Sequence, residues 1–337
     1  MSGYLTRNVR KKKQNCHDCG TVMNVAEKIL IALGGNAILK HREEGTAEEQ
    51  LENVRATCSH MVELIKLGYD IAITHGNGPQ VGDILLAYDI AKTTLPPMPL
   101  DVCGAQSQGM IGYMLQQSLK NELNGEGIIK PVITVLTQCL VDRDDPAFRS
   151  PSKPIGPFYT AMEAGRLRQE KGWTVENDSG RGYRRLVPSP DPVRIVEGEA
   201  IRKLSDEGTI VIACGGGGVP VSATGSGDIE GVEAVIDKDH VAALYAAIIG
   251  ADILLILTDV HKVALNYGRV NQSDIDEMDC KTARTYLAQG HFLPGSMQPK
   301  VESALRFIAN GGKRAIITSL ENAVSGVVRG EGTVIYR

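Results

Sequence analysis

The chain has 337 residues, 42% hydrophobic and 23% charged, which is the composition of an ordinary globular protein large enough to bury a substantial core. Its formal charge is −4, although the first 13 residues carry five basic side chains and no acidic one, so the rest of the chain is distinctly acidic. An acidic body argues against a nucleic-acid-binding protein, which needs a basic face to neutralise phosphates.

The sequence also argues against a membrane partner. A helix that spans a bilayer needs about 20 apolar residues, and the longest uninterrupted apolar run covers only residues 241–251. The basic N-terminus lacks the apolar segment of a secretory signal. We therefore predict a cytoplasmic protein whose seven cysteines remain reduced.

Residues 1–27 show no sustained periodicity and are predicted to form a flexible extension. A short targeting arm is the alternative, and Met23 could be the natural start. Cys16 and Cys19 form the only CxxC in the sequence. Because no second cysteine pair has metal-site spacing, an incidental feature is favoured over a redox or zinc site.

From residue 28 onwards, short apolar runs alternate with stretches of helical periodicity. In residues 47–67, for example, apolar side chains recur at steps of three and four, and Gly68 follows as a C-terminal cap. This alternation predicts an α/β fold with a parallel sheet covered on both faces. The predicted strands are residues 28–33, 69–74, 132–136, 209–213, 253–258 and 314–318, and the predicted helices are residues 47–67, 104–123, 239–249 and 300–310.

Residues 144–195 interrupt this alternation. They contain seven prolines, the single tryptophan Trp173 and a basic cluster at residues 181–185 (RGYRR). Proline is disfavoured inside a sheet, so this stretch is predicted to lie outside the main sheet as an inserted subdomain. The simplest role for this subdomain is to cover the active site, and the alternative is that it has no role in function.

Three glycine-rich turns follow predicted strands. Because parallel strands end at one edge of a sheet, these turns are expected to converge where α/β proteins bind ligands. Glycine allows an anion to approach the backbone closely, and successive N–H groups attract it, so such turns suit phosphate. Any one of them could instead be a simple connector. The turns consist of Gly34, Gly35 and Asn36, then Gly76, Asn77 and Gly78, then Gly215, Gly216, Gly217 and Gly218.

Neither common nucleotide fingerprint is present, since the chain lacks GxxxxGK[ST] and its first strand ends in GGNAIL rather than GxGxxG. A P-loop ATPase and a standard dinucleotide oxidoreductase are therefore disfavoured. Positive charge for a bound phosphate would have to come from lysines beside turns, namely Lys153, Lys238 and Lys300. Lys238 stands at a predicted helix start, and Lys300 just before another, where the helix dipole would assist. Each of them taken singly could instead be a solvated surface lysine.

A series of ten motifs resembles that of the carbamate kinases, within the amino acid kinase fold. The resemblance runs from about residue 28 to the C-terminus, and the insertion with its SKP and SGRGYR segments separates this branch from acetylglutamate, uridylate and glutamate kinases. The motifs are IALGGNAIL, THGNGPQVGDILL, PLDVCGAQSQGMIGYM, PSKPIGPFY, DSGRGYRRLVPSP, GGGGVPV, GVEAVIDKD, ILTDV, GHFLPGSMQPKVESALRF and AIITSLENA.

The resemblance implies an αβα sandwich with a mostly parallel central sheet and a protruding inserted subdomain, paired as a homodimer. It implies a carbamate-binding lobe over residues 28–207, which includes the insertion, and a nucleotide-binding lobe over residues 208–337.

The resemblance also implies roles for individual residues. Lys153, Lys238 and Lys300 match the lysines around the transferred phosphoryl group, and Asp237 matches an acid that orients the lysine beside it. The first two glycine turns match the substrate and phosphate loops. Nucleotide binding is implied for Gly215, Gly216, Gly217, Asp259 and Lys300.

The implied reaction is ATP plus carbamate to ADP plus carbamoyl phosphate. It uses Mg²⁺, is reversible and usually runs toward ATP in arginine catabolism. The sequence shows no carboxylate cage for a metal, so nucleotide phosphates would hold most of the Mg²⁺ coordination sphere. Two alternatives stay open: a catalytically silent metabolite-binding protein of the same fold, and a related enzyme with another phosphoryl acceptor.

Overall fold

A computed structural model describes residues 26–40, 43–177 and 182–337. Predictions for nearly all of the N-terminal extension, including Met23, Cys16 and Cys19, lie outside the described residues. So does Arg181 of the basic cluster.

The described residues form nine α-helices and seventeen strands. The helices are α1 (Ala47–Lys66), α2 (Gly78–Ala91), α3 (Leu100–Gly125), α4 (Ala161–Lys171), α5 (Gly198–Asp206), α6 (Lys238–Ile248), α7 (Cys280–Ala288), α8 (Met297–Ala309) and α9 (Ala323–Arg329). The strands are β1 (Lys28–Leu33), β2 (Asp70–His75), β3 (Val132–Thr134), β4 (Gln138–Val141), β5 (Lys153–Tyr159), β6 (Thr174–Asn177), β7 (Tyr183–Val187), β8 (Pro192–Ile195), β9 (Ile210–Ile212), β10 (Val219–Ala223), β11 (Ile229–Gly231), β12 (Ile253–Thr258), β13 (Val263–Leu265), β14 (Ser273–Ile275), β15 (Glu277–Asp279), β16 (Arg314–Ser319) and β17 (Thr333–Tyr336).

The main sheet has eight strands in the order β15-β17-β16-β12-β1-β2-β9-β3. Every neighbouring pair is parallel except β16 and β17, which run antiparallel. The carboxyl ends of β1, β2, β9, β12 and β16 therefore lie along one edge. The predicted α/β class with a mostly parallel central sheet is confirmed.

Helices cover both faces of this sheet. In β1, Ile29, Ile31 and Leu33 belong to one buried apolar cluster, which also contains residues of α1 and α3. The alternate residues Leu30 and Ala32 belong to a second cluster, with residues of α6 and α8. Successive strand side chains point to opposite faces, so the two clusters are the two interfaces of an αβα sandwich.

A second sheet of four strands, in the order β11-β10-β4-β8, was not predicted. Its strand β8, residues 192–195, comes from the end of the stretch that interrupts the alternation. The last residues of that stretch therefore belong to the second sheet and not to a separate subdomain. The remaining strands of the insertion form a three-stranded sheet in the order β5-β7-β6, with α4 packed against it. The prediction that residues 144–195 lie outside the main sheet is confirmed for the described residues.

Several predicted boundaries differ from the structure. The helix expected over residues 104–123 begins one turn earlier, at Leu100, because Pro99 supplies an extended N-cap residue. The helix expected to begin at Lys300 begins at Met297, since a proline is tolerated in the first helical turn. Lys300 therefore lies inside the first turn of α8 rather than before it. The strand expected over residues 132–136 ends at Thr134.

Across the described part of the chain, no helix combines the length and apolar character that a bilayer crossing requires.

Candidate active site

The first two glycine turns lie side by side at the carboxyl edge of the main sheet. The N–H of Gly34 donates to the carbonyl of Leu257 in β12, at 3.0 Å, and the N–H of Gly76 donates to Leu33 in β1, at 3.1 Å. A Cβ added at Gly76 would lie 3.7 Å from the amide nitrogen of Gly35 and 3.7 Å from Cε of Lys238. One predicted lysine thus reaches the point where the two turns meet. Asn36 lies in the short 3₁₀ turn after β1, and Gly78 begins α2.

The third turn, Gly215–Gly217, follows β9 and packs against the second. Gly216 has φ of +64°, in the left-handed region, and a Cβ there would lie 2.2 Å from Nδ2 of Asn77. Asn77 is held in place because its Nδ2 donates to the Ser107 hydroxyl, at 2.8 Å. Glycine at 216 is therefore required by both the backbone conformation and the close approach of Asn77.

We expect Gly216→Ala to lower the free energy of unfolding by more than Gly172→Ala does. Gly172 has φ of +63° and no atom within 4 Å of an added Cβ, so alanine there costs only the left-handed backbone, about 1–2 kcal/mol. Alanine at 216 adds the collision with Asn77 and displaces the second turn. Urea denaturation of both variants measures the difference. Equal losses would show that the approach of Asn77 does not matter.

The three predicted lysines belong to different parts of the fold, yet they share one acidic pair. Lys153, the first residue of β5, donates to Asp237 at 2.6 Å. Asp237 caps α6, where its other carboxylate oxygen accepts from the N–H of Asp239 at 2.9 Å. The carboxylate of Asp239 accepts from Lys238 at 2.5 Å and from Lys300 at 3.2 Å. Hydrogen bonds through two aspartates therefore connect all three ammonium groups.

Burial and charge determine the protonation of this cluster. Burial alone would raise the pKa of the Asp239 carboxyl, but Lys238 and Lys300 outweigh it and hold that pKa well below its usual value. Burial lowers the pKa of the Lys238 ammonium, against the opposing charge of Asp239. Burial also disfavours the charged form of Lys300, but Asp239 overcomes it and raises that pKa. The cluster has more cationic than acidic members, which suits an anionic ligand.

Two further residues of the site were not predicted. Asp239 is the acid that joins Lys238 to Lys300, whereas Asp237, predicted to orient the lysine beside it, instead accepts from Lys153. His75, at the end of β2, is buried, and burial lowers its pKa to about 4, so the ring is neutral at physiological pH. Its Nδ1 lies 2.9 Å from the carbonyl oxygen of Gly76, which helps to fix the second turn.

Asp259 lies beside the first glycine turn. It directly follows β12, and a Cβ added at Gly34 would lie 3.7 Å from Cα of Thr258. Its carboxylate accepts from the Thr258 hydroxyl at 3.2 Å. The charge of Asp259 is among those that raise the pKa of Lys300. The structure thus brings Asp259 and Lys300, both predicted to bind nucleotide, to the same region.

The inserted subdomain rests on α2. The backbones of α2 and β5 approach closely, since a Cβ at Gly82 would lie 2.8 Å from Cα of Gly156. An ion pair of 2.5 Å joins Lys171 to Asp89 of α2. Beside these contacts is a cavity of about 480 Å³ that none of the three lysines lines. The subdomain therefore both packs on the body of the protein and contributes Lys153 to the cluster.

No group of three or more His, Cys, Asp or Glu side chains could hold a metal ion within the described ranges. Two acids of the site, Asp237 and Asp239, are already engaged by lysines.

Comparisons with known proteins give a consistent result. Residues 27–319 match the amino acid kinase family. The carbamate kinase of Pyrococcus horikoshii is 52% identical over 311 residues, which cover 92% of this chain and 99% of the relative. The carbamate kinase of Trichomonas vaginalis is 46% identical over 91% of this chain and 99% of the relative. Among solved structures, the carbamate kinase of Giardia lamblia bound to AMP-PNP has a TM-score of 0.87 at 42% identity, over 93% of this chain and 99% of that one.

Proposed function

Because the chain belongs to the amino acid kinase family, and within it to the carbamate kinases, we propose that its three lysines stabilise the phosphoryl group transferred between nucleotide and carbamate. The observation that carries this proposal is the cluster itself. Lys153, Lys238 and Lys300 converge through Asp237 and Asp239, and Lys238 reaches the meeting point of two glycine turns.

The reaction joins a carboxylate oxygen of carbamate to the γ-phosphorus of ATP while the bond from that phosphorus to the bridging oxygen breaks. Carbamate is already an anion, so the step needs no general base. Phosphoryl transfer leaves the protein little covalent work, and positioning and charge stabilisation dominate. The obstacle is the repulsion between two anions, which the ammonium groups reduce on both sides of the transferred group.

We assign the glycine turns to substrate and phosphate. Backbone N–H groups at Gly35, Asn36 and Gly78, together with the amino end of α2, would bind the oxygens of the transferred group, whereas the N–H groups of Gly34 and Gly76 donate to neighbouring strands and hold the two turns in place. Gly215, Gly216, Gly217, Asp259 and Lys300 are proposed to bind the nucleotide. The lobe over residues 28–207 would then hold carbamate, and residues 208–337 would hold nucleotide.

We propose that the nucleotide is ATP or ADP with Mg²⁺. The Giardia lamblia relative was solved with AMP-PNP, which supports an adenine nucleotide here. Asp237 and Asp239 are paired with lysines, and the described residues include no group of three or more His, Cys, Asp or Glu that could hold a metal, so nucleotide phosphates would provide most Mg²⁺ ligands. Bound Mg²⁺ would add positive charge at the phosphates. We further propose a cytoplasmic enzyme of arginine catabolism that runs toward ATP.

A coupled assay tests the proposed function. With ADP and carbamoyl phosphate supplied, ATP formation can be followed by its consumption in a hexokinase and dehydrogenase couple. We expect ATP formation that depends on both substrates. Activity with acetyl phosphate but not carbamoyl phosphate would indicate another acceptor. Nucleotide binding without ATP formation from either donor would indicate a catalytically silent binding protein.

We propose that the protein forms a homodimer through the β3 edge of the main sheet. This outermost strand and its surroundings expose large apolar side chains, with Ile129 94%, Leu136 55% and Tyr113 58% exposed. Apolar side chains clustered at an unpaired strand edge favour association. Light scattering should give twice the chain mass, and Ile129→Lys combined with Leu136→Lys should give a monomer. A wild-type monomer at micromolar concentration would contradict the dimer.

A further inference from the structure

A mostly buried histidine beside the lysine cluster takes part in no step of the proposed reaction. His240 is the third residue of α6, and its side chain is 15% exposed. Its Nδ1 lies 3.0 Å from a carboxylate oxygen of Asp191, and its Nε2 lies 3.1 Å from a carboxylate oxygen of Glu302. Both ring nitrogens therefore face an acid.

This geometry selects the protonated ring. A neutral imidazole carries one N–H, so one of its two contacts would place a nitrogen lone pair against a carboxylate oxygen. An imidazolium donates at both nitrogens and satisfies both acids. The double contact is thus complete only when His240 carries a positive charge.

The surrounding charges agree with this assignment. Arg306 of α8 makes two hydrogen bonds to Asp191, at 3.2 and 3.0 Å, and Gln298 donates to Glu302 at 2.8 Å. Burial alone would lower the pKa of His240, and Arg306 also lowers it, but hydrogen bonding to Asp191 and the charges of Asp191 and Asp237 raise it overall. With His240 charged, the two cations His240 and Arg306 balance the two acids Asp191 and Glu302.

His240 joins the two helices that carry Lys238 and Lys300, and its contact to Asp191 leads to the strand beside the one that carries Lys153. It lies two residues after Lys238 on α6 and contacts Glu302, which lies two residues after Lys300 on α8. Its other partner, Asp191, lies in the linker between β7 and β8, and Val187 at the end of β7 pairs in register with Lys153.

The same linker connects the two ends of the insertion. The N–H of Asp191 donates to the carboxylate of Asp145 at 3.0 Å. Asp145 lies at the start of the inserted stretch and Asp191 near its end. A contact to Asp191 therefore restrains the base of the subdomain that supplies Lys153.

We propose that His240, as an imidazolium, is a positioning residue that holds Lys153, Lys238 and Lys300 in register, and that its deprotonation weakens phosphoryl transfer. This inference rests on the proposed role of the lysines. The pKa of His240 in the folded protein is raised above 6.5. The contacts of the imidazolium with Asp191 and Glu302 are therefore fully formed below pH 6.5, and they are lost as the pH rises through the folded-state pKa.

The test compares kcat of wild type and His240→Gln across pH, since the ratio cancels other titrations such as that of Lys238. Near pH 6 we expect the variant to lose about 10-fold in kcat, within the ~10²-fold that a small misplacement can cost. The ratio should approach one at alkaline pH, where wild type has lost its imidazolium. A ratio that is constant with pH, or equal to one throughout, overturns the proposal.

A matched control is His60→Gln, because His60 lies on α1, on the opposite face of the sheet from α6. We expect it to keep wild-type kcat across the range.

Two further measurements do not depend on His240→Gln being folded. Nitrogen NMR of wild-type protein should show both ring nitrogens of His240 protonated at pH 6.5, and a neutral ring there overturns the proposal. In Glu302→Gln, which removes one acid facing the ring, the NMR midpoint of His240 should move to lower pH, and an unchanged midpoint overturns it. Both readouts stand even if the wild-type protein forms no ATP, so failure of this inference and failure of the proposed function are distinguishable.

Discussion

Lys238→Ala is expected to reduce kcat for ATP formation by about 10²–10³, which corresponds to about 2.7–4 kcal/mol of transition-state stabilisation. Lys238 lies at the start of α6 with its side chain only 13% exposed, and its Cε lies where the turns at Gly35 and Gly76 meet. A cation held near that point is close to the charge that develops on the transferred group. The measurement is kcat at saturating ADP and carbamoyl phosphate.

Lys203→Ala is the matched control for this prediction. Lys203 lies in the last turn of α5 and is exposed, so its removal should leave kcat unchanged. Circular dichroism and thermal unfolding should show that both variants fold. Wild-type turnover in folded Lys238→Ala would remove this lysine from the proposed mechanism.

Asp239→Asn should destabilise the protein and also slow the reaction. Its carboxylate is 5% exposed and accepts from both Lys238 and Lys300. Removing one partner from a buried ion pair leaves uncompensated charge and costs about 3–5 kcal/mol. The pKa of Lys238, already lowered by burial, would fall further without Asp239, so fewer molecules would carry the charged lysine at neutral pH. Urea denaturation measures the first effect, and kcat measures the second.

Asp89→Asn provides the comparison for Asp239. Asp89 also contacts two lysines, Lys92 and Lys171, but its side chain is 39% exposed. Solvent screens such pairs, and each contributes at most about 1 kcal/mol. If Asp239→Asn loses no more stability than Asp89→Asn, burial of the bridging carboxylate has no energetic consequence.

Much of the fold could be predicted because its long elements carry strong periodic signals. Residues 253–258 are a short continuous apolar run, which is typical of a buried strand. Residues 47–67 have apolar side chains at steps of three and four, which is typical of an amphipathic helix. The second sheet was missed because its strands are short and weakly patterned. All three residues of β11 are exposed, and β8 begins with a proline. Such segments become strands through partners distant in sequence, which local periodicity does not reveal.

The position of the site could be predicted for a similar reason. Parallel strands place the turns after β1, β2 and β9 at one edge whatever the details of packing. The roles assigned to the residues there remain predictions. The bridging role of Asp239 was not foreseen, although the residue stands directly beside Lys238, because Lys300 reaches it from a helix 61 residues away in sequence. Likewise, the two acids facing His240 come from residues 49 and 62 positions away.

A crystal structure with ADP, Mg²⁺ and a metal fluoride in place of the transferred phosphoryl group tests the central claim most directly. We predict that the ammonium groups of Lys153, Lys238 and Lys300 turn from their aspartates and lie about 3 Å from the fluorides. The first two glycine turns should contact the same group. Fluoride bound elsewhere, with the lysines still paired to Asp237 and Asp239, would contradict the assignment of this cluster to phosphoryl transfer.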